Sequence, residues 1–235
     1  MTTRIAPTPL SPYVLKTGRF SSHSLLLDAL PPDGHGRRLL DVGGGEGFLS
    51  RLLAERGYRV TCIARPDSRA DDFPAAVDLL GIDLDFDLPR FDRPFDFILC
   101  GDILEHLREP AAVLRWLRRH LAPGGLLVAS LPNSAHLYFR LNVLLGRFPE
   151  HGRGLFDRTH LHFYAWNNWR RVIDEGGFRI ETVRPTAAPV ELLMPARRSG
   201  LALGALERLS YGLARLWGNL FAYQFVITAR PAEEY

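Results

Sequence analysis

Apolar and polar positions along this chain follow two periods, and each change of period marks an element. Residues 37–42 form a short apolar run that predicts a strand, and residues 46–56 carry the 3.6-residue spacing of a helix. Residues 58–64 alternate, with Val60, Cys62 and Ala64 set against Thr61 and Ile63, and predict a second strand. Short strands follow at 79–83, 95–100 and 126–131, with a helix at 110–120 stopped by Pro123-Gly124-Gly125. Ahead of all these, residues 21–30 read as a helix halted by Pro31-Pro32. Strand and helix in alternation predict a parallel sheet covered by helices.

The second half reads differently. Helices are expected at 133–147 and 166–175, strands at 178–183 and 221–229, and an amphipathic helix at 201–219. Between the first two helices lies a structureless stretch, 148–163, and loops that long inside a compact domain are usually functional or mobile. We therefore expect one domain over 1–235, with a helical lead-in at 1–36 and an insert at 133–165 that covers an acceptor. The expected fold is an α/β Rossmann-like three-layer sandwich with seven strands, six parallel and the seventh antiparallel.

Composition narrows the function. The chain has 235 residues, 46% of them hydrophobic, and a net charge of only +3. With no basic tract, that charge argues against nucleic acid as a partner. Lys16 is the one lysine, and arginine supplies every other basic side chain. Two cysteines, Cys62 and Cys100, sit in strand-like runs and build no disulfide framework, which fits a reducing cytoplasm. Met1-Thr2-Thr3-Arg4 lacks the apolar core of a signal peptide, and no apolar run reaches 18 residues.

The richest segment is Asp41-Val42-Gly43-Gly44-Gly45-Glu46-Gly47. A strand ends on an acid, turns on glycines and enters a helix, which is the form of a nucleotide-type cofactor site. The lysine of a phosphate cradle is missing, and Asp41 beside the turn suits a cationic ligand better than a pyrophosphate. This segment resembles the first motif of class I S-adenosylmethionine-dependent methyltransferases. Residues 95–100 resemble that family's fourth strand, and Leu121-Ala122-Pro123-Gly124-Gly125 resembles its turn before the fifth. The resemblance implies S-adenosyl-L-methionine as cofactor. It implies Asp41, Gly43, Gly45 and Gly47 around the methionine end, Asp83 and Leu84 at the adenine, and Cys100 and Gly101 at the pocket edge. One position departs. Ala64 stands where the family places a ribose-binding acid, leaving Asp67, water or a decayed site to take that part.

The acceptor side rests on Asp102, Glu105 and His106, which on a helix share one face at i, i+3 and i+4. Two carboxylates and an imidazole fit either proton removal from an acceptor hydroxyl or a divalent metal site. The pair Glu105-His106 resembles an element of ubiquinone-pathway O-methyltransferases and small-RNA 2′-O-methyltransferases. That resemblance implies a later histidine, here His160, completing a metal site of Asp102, Glu105, His106 and His160. As catalytic residues it leaves His106, His160 and Glu105. The stretch from Gly154 to Tyr164 is similar to one in bacterial glycan-cluster and lipid-carrier methyltransferases. The aromatic residues around it fit either a ring-binding wall or a core of the insert. Residues 201–221 fit sheet cover, a homodimer face or peripheral contact with the inner membrane face.

The expected function is methyl transfer to a hydroxyl oxygen of a small molecule or glycan. The alternatives are a non-catalytic cofactor-binding or scaffold protein and an RNA 2′-O-methyltransferase.

Overall fold

The computed structural model describes residue 16, residues 18–189 and residues 200–233. Seven strands form one sheet: β1 (Arg38–Val42), β2 (Arg59–Ala64), β3 (Val77–Gly81), β4 (Phe95–Gly101), β5 (Leu121–Pro132), β6 (Phe178–Pro185) and β7 (Gln224–Pro231). Their spatial order is β3-β2-β1-β4-β5-β7-β6, with β7 antiparallel to both neighbours and the other strands parallel, as expected. The chain grows outward from β1 to β3 and then returns to β4, beside β1. This reversal opens a crevice at the carboxyl ends of β1 and β4, the place where open α/β sheets hold ligands.

Alternation along the strands sends side chains to two cores. Leu40, Val42, Ile98, Cys100, Leu127 and Ala129 pack on one face with Val113, Leu114 and Leu117 of α3 (Pro110–His120) and Trp169 of α5 (Trp166–Glu175). Leu39, Leu99 and Val128 pack on the other with Leu25 and Leu26 of α1 (Ser22–Asp28) and Leu49 and Leu53 of α2 (Phe48–Glu55). Every strand in the middle of the sheet is therefore apolar on both sides, as a covered parallel sheet requires. Cys62 and Cys100 are both buried and free.

Several boundaries differ from expectation, each for a local reason. Helix α2 starts two residues late because Gly45 and Gly47 take left-handed φ values of 54° and 74°. Strand β3 ends at Gly81, and the Asp83 carboxylate accepts from Asp85 N in the following turn (3.0 Å). The helix expected over 133–147 shrinks to α4 (Leu137–Leu144), since His136 Nδ1 accepts from Tyr138 N (3.1 Å) and caps it there. Helix α6 (Gly200–Leu216) is followed by a separate short helix, α7 (Gly218–Phe221), so β7 begins three residues late. Strand β5 runs through Pro123-Gly124-Gly125 because Leu121 already pairs with Phe95, with a register shift before Phe97.

The largest correction concerns Asp102, Glu105 and His106. They do not share a helix face. Asp102 has a left-handed φ of 53°, and only Leu104–His106 forms a single 3₁₀ turn.

Two helices leave apolar side chains in solvent. No residue of α4 is buried, and Leu144 is 81% exposed; Leu216 at the end of α6 is 84% exposed. No helix among the described residues is long and apolar enough to cross a membrane.

Ile98, fully buried in a central strand, tests the core. Ile98→Ala is expected to lower the unfolding free energy by about 2–5 kcal/mol. Leu144→Ala should stay within about 0.5 kcal/mol. Denaturant titration of both variants reads the difference, and similar losses would contradict this layering.

Candidate functional site

The glycine turn builds one wall of the crevice. Gly43 has a φ of 79°, and a Cβ placed there would come within 2.6 Å of the Ile103 side chain. A Cβ at Gly44 would overlap Cys62 Sγ on the neighbouring strand. Backbone N–H groups of both glycines bond to the Ile63 carbonyl, at 2.8 and 3.1 Å. The turn thus lies against β2 in a way no larger residue permits.

Beneath it sits the Asp41 carboxyl, buried and receiving the Ser50 hydroxyl at 2.5 Å from α2. Burial pushes its pKa up to about 6, and the Ser50 bond offsets only part of that. A cavity of about 150 Å³ opens beside it, lined by Asp41, Gly43, Gly45, Gly101, Asp102 and His23 among others. His23 comes from α1, and burial followed by the charge of Lys16 pushes its pKa down to about 4, so it is neutral at pH 7.

Asp102 completes this wall from β4. Its backbone N–H donates to Ser130 Oγ (2.9 Å), and its Oδ1 accepts from the Ser130 hydroxyl and from Gln224 Nε2 (2.8 Å). Its Oδ2 accepts from Lys16 Nζ at 2.8 Å. Burial alone would raise its pKa. The Lys16 charge and these hydrogen bonds prevail and hold the carboxylate well below its usual range. Lys16, His23, Ser50, Ser130 and Gln224 were missed from the sequence. Only Lys16 carried a signal, as the one lysine in an arginine-rich chain.

The remaining positions of the expected cofactor pocket are scattered. Leu84 is buried in the first core, and Cys100 is fully buried there too, so Gly101 rather than the Cys100 thiol reaches the cavity. Asp83 is exposed. Ala64 is buried at the end of β2, and its carbonyl accepts from Ile82 N (2.9 Å). Asp67 does not turn back toward it. Its carboxylate is engaged by Arg65 at 3.0 Å on the surface.

A second cluster lies past β4. The Glu105 carbonyl accepts from Leu161 N (2.9 Å) and His162 N (3.2 Å), which pins the loop before α5 to the 3₁₀ turn. His106 Nδ1 lies 3.1 Å from the Thr159 carbonyl, and His162 Nε2 lies 2.9 Å from the Leu107 carbonyl. A carbonyl can only accept, so both of those nitrogens carry protons. The pinning brings the His160 ring to 4.8 Å from that of His106 and its Nε2 to 3.9 Å from Glu105 Oε1. Glu105, His106 and His160 offer one ligand atom each within 4.8 Å of one another, and Asp102 stands outside this group, bound to its own network.

The electrostatics of the cluster follow from burial. Burial first, and the charge of Asp102 second, raise the Glu105 pKa well above its ordinary value. Burial and His106 push that of His160 down to about 4. Their 3.9 Å separation is too long for a hydrogen bond. Glu105 Oε2 is buried with no hydrogen-bond partner among the described residues. Around the cluster the insert has its own aromatic packing. Phe139 stacks on Phe156 at 4.4 Å, and half-exposed Phe163 and Phe148 meet at 5.3 Å, with Phe163 6.0 Å from His160.

Comparison with known proteins places these features in context. A methyltransferase-domain family model matches residues 18–183. The ubiquinone biosynthesis O-methyltransferase of Xylella fastidiosa (strain M23) is 34% identical over 123 residues, covering 46% of this chain and 47% of that protein. Its counterpart in Xanthomonas oryzae pv. oryzae (strain PXO99A) is 32% identical over 171 residues, covering 65% of this chain and 70% of that protein. The chain thus spans about half the length of the first of these relatives. The solved S-adenosylmethionine-dependent methyltransferase from Mesorhizobium loti has a TM-score of 0.61 at 21% identity, covering 89% of this chain and 98% of that one. Identity that low speaks to the fold alone.

The raised pKa of Asp41 has a definite sign. The protonated form favours the fold, so this contribution is complete below the unfolded value of 3.8 and is lost as pH rises through about 6. Asp41→Asn should therefore flatten the decline in unfolding free energy across that window. Parallel wild-type and variant curves from denaturant titration would show that Asp41 ionises normally.

Proposed function

The chain belongs to the methyltransferase-domain family, in its class I, S-adenosylmethionine-dependent group, and we propose that it methylates a hydroxyl oxygen of a small molecule or glycan. The observation that carries the cofactor half is the glycine turn packed over Asp41 at the sheet's switch point. Backbone there is bared where a Cβ would collide, and the adjoining cavity presents the carboxylates of Asp41 and Asp102. Such a wall fits a cationic, amino-acid-bearing cofactor, with Asp41, Gly43, Gly45 and Gly101 holding it. Bound S-adenosylmethionine supplies a methyl group already activated by its sulfonium.

What remains for the protein is alignment and removal of one proton. His160 has the right state for the second task. It is neutral at pH 7 and sits 3.9 Å from Glu105, whose pKa burial raises. Its imidazole takes the acceptor hydroxyl proton as the new oxygen–carbon bond forms. His106, fixed by the Thr159 carbonyl, packs edge-on against the His160 ring, and Phe163 lies 6.0 Å from it. The O-methyltransferase names of the relatives support an oxygen acceptor. The insert at 133–165 is the part we assign to acceptor binding.

A second reading of the acceptor cluster is a divalent cation, favoured by a buried Glu105 Oε2 with no partner among the described residues and by two histidines within 4.8 Å of the carboxylate. Two nitrogens and one carboxylate oxygen suit zinc, manganese or cobalt, with Glu105 giving up its proton on binding.

The two readings separate experimentally. With His160 as base, His160→Ala should cut kcat by about 10²- to 10⁴-fold while cofactor affinity measured by calorimetry stays unchanged. Activity should survive exhaustive chelation. Loss of activity on chelation, restored by a divalent metal, would replace the base with the cation. Failure of the wild-type chain to bind S-adenosylmethionine at millimolar ligand would sink methyl transfer altogether.

A further inference from the structure

One lysine occurs in this chain, and the fold places it against Asp102 and His23, two residues that line the cofactor cavity. Lys16 Nζ lies 2.8 Å from Asp102 Oδ2 and donates to Ser22 Oγ at 3.2 Å. Its backbone N–H donates to His23 Nδ1 at 3.0 Å. Asp102 and His23 both line the cavity, on the side facing the glycine turn. Asp102 is held there in a left-handed conformation that a non-glycine residue rarely adopts, with Ser130 and Gln224 fixing its other oxygen. The arrangement is a cation and an anion, both partly desolvated, side by side at one end of a cavity.

That pattern has a chemical complement. The amino-acid end of S-adenosylmethionine is a zwitterion, with an ammonium and a carboxylate on one carbon. An isolated anion in the wall would attract one group and repel the other. An ion pair meets both. When the zwitterion enters, Lys16 turns to the ligand carboxylate and Asp102 to the ligand ammonium, so neither buried charge loses its counter-charge. Resting on the cofactor reading above, we infer that Lys16 and Asp102 form the receptor for the cofactor's α-amino-carboxylate end, with Lys16 taking the carboxylate. The neutral imidazole of His23 fits this role, because a second cation beside Lys16 would compete for it.

The alternative is that the Lys16–Asp102 pair only ties the N-terminal segment to β4. Binding calorimetry on the full chain distinguishes them, using S-adenosylhomocysteine, which has the amino-acid end, and 5′-methylthioadenosine, which lacks it. Lys16→Met should weaken S-adenosylhomocysteine by about 10- to 100-fold, the loss of one charge-assisted hydrogen bond, and leave 5′-methylthioadenosine within about twofold. Lys16→Arg should recover most of the lost affinity. An equal loss for both ligands, or no loss for either, overturns the inference while leaving the cofactor reading intact. A wild-type chain that binds neither ligand overturns both.

Discussion

The site depends on one buried hydrogen bond, between the Asp41 carboxyl and the Ser50 hydroxyl. It joins the end of β1 to the first turns of α2 beneath the glycine turn, so the three parts of the cofactor wall move as one body. Burying a carboxyl costs free energy unless it is hydrogen-bonded. Here it has one donor and a raised pKa, and it lies between Cys62 on β2 and Leu99 on β4. A carboxyl in that setting is stabilised by whatever positive charge arrives in the cavity. The fold thus carries a small local cost at the carboxyl that lines the cavity. Such strain at one point of an otherwise consistent structure is usual for functional sites.

What the sequence made legible follows from periodicity. The strands of the sheet centre, the helices at 110–120 and 166–175, and the glycine turn all have local signatures, and the structure places them where the pattern did. The acceptor cluster was legible only in its membership. Glu105, His106 and His160 do meet, but through backbone bonds from Glu105 to Leu161 and His162 that span more than fifty residues and leave no periodic trace. Asp102 was misplaced because spacing of i, i+3 and i+4 presumes an α-helix. A three-residue 3₁₀ turn entered from a left-handed residue sends Asp102 to Ser130, Gln224 and Lys16 instead. Asp67 was a candidate for the missing acid of β2, and its neighbour Arg65, two residues away, had the stronger claim on it.

Two buried carboxyls, Asp102 and Glu105, stand three residues apart with pKa values shifted in opposite directions, and the reason is what lies beside each. Asp102 has a lysine, a serine and a glutamine, which hold its pKa down despite burial. Glu105 is buried beside two imidazoles and feels the charge of Asp102, and both effects raise its pKa. Asp102 lines the cavity beside the glycine turn, and Glu105 belongs to the histidine cluster. The short turn between them therefore joins two settings, one that favours a carboxylate and one that disfavours it.

Asn133, just past the end of β5, fastens the insert to the segment ahead of β7. Its side-chain amide donates to the carbonyls of Ala222 (2.8 Å) and Asn219 (3.2 Å), and its Oδ1 accepts from Ala135 N (3.0 Å). Its backbone N–H donates to the Tyr223 carbonyl (3.1 Å), and the Tyr223 hydroxyl in turn accepts from Leu155 N (3.3 Å). The insert is thus fastened at its beginning and its middle to one segment, made 89 and 68 residues later respectively. During synthesis this fastening waits for Ala222 and Tyr223, and the Gln224 bond that helps fix Asp102 waits for the next residue. The glycine-turn cavity and the insert are thus both completed by one late stretch of chain.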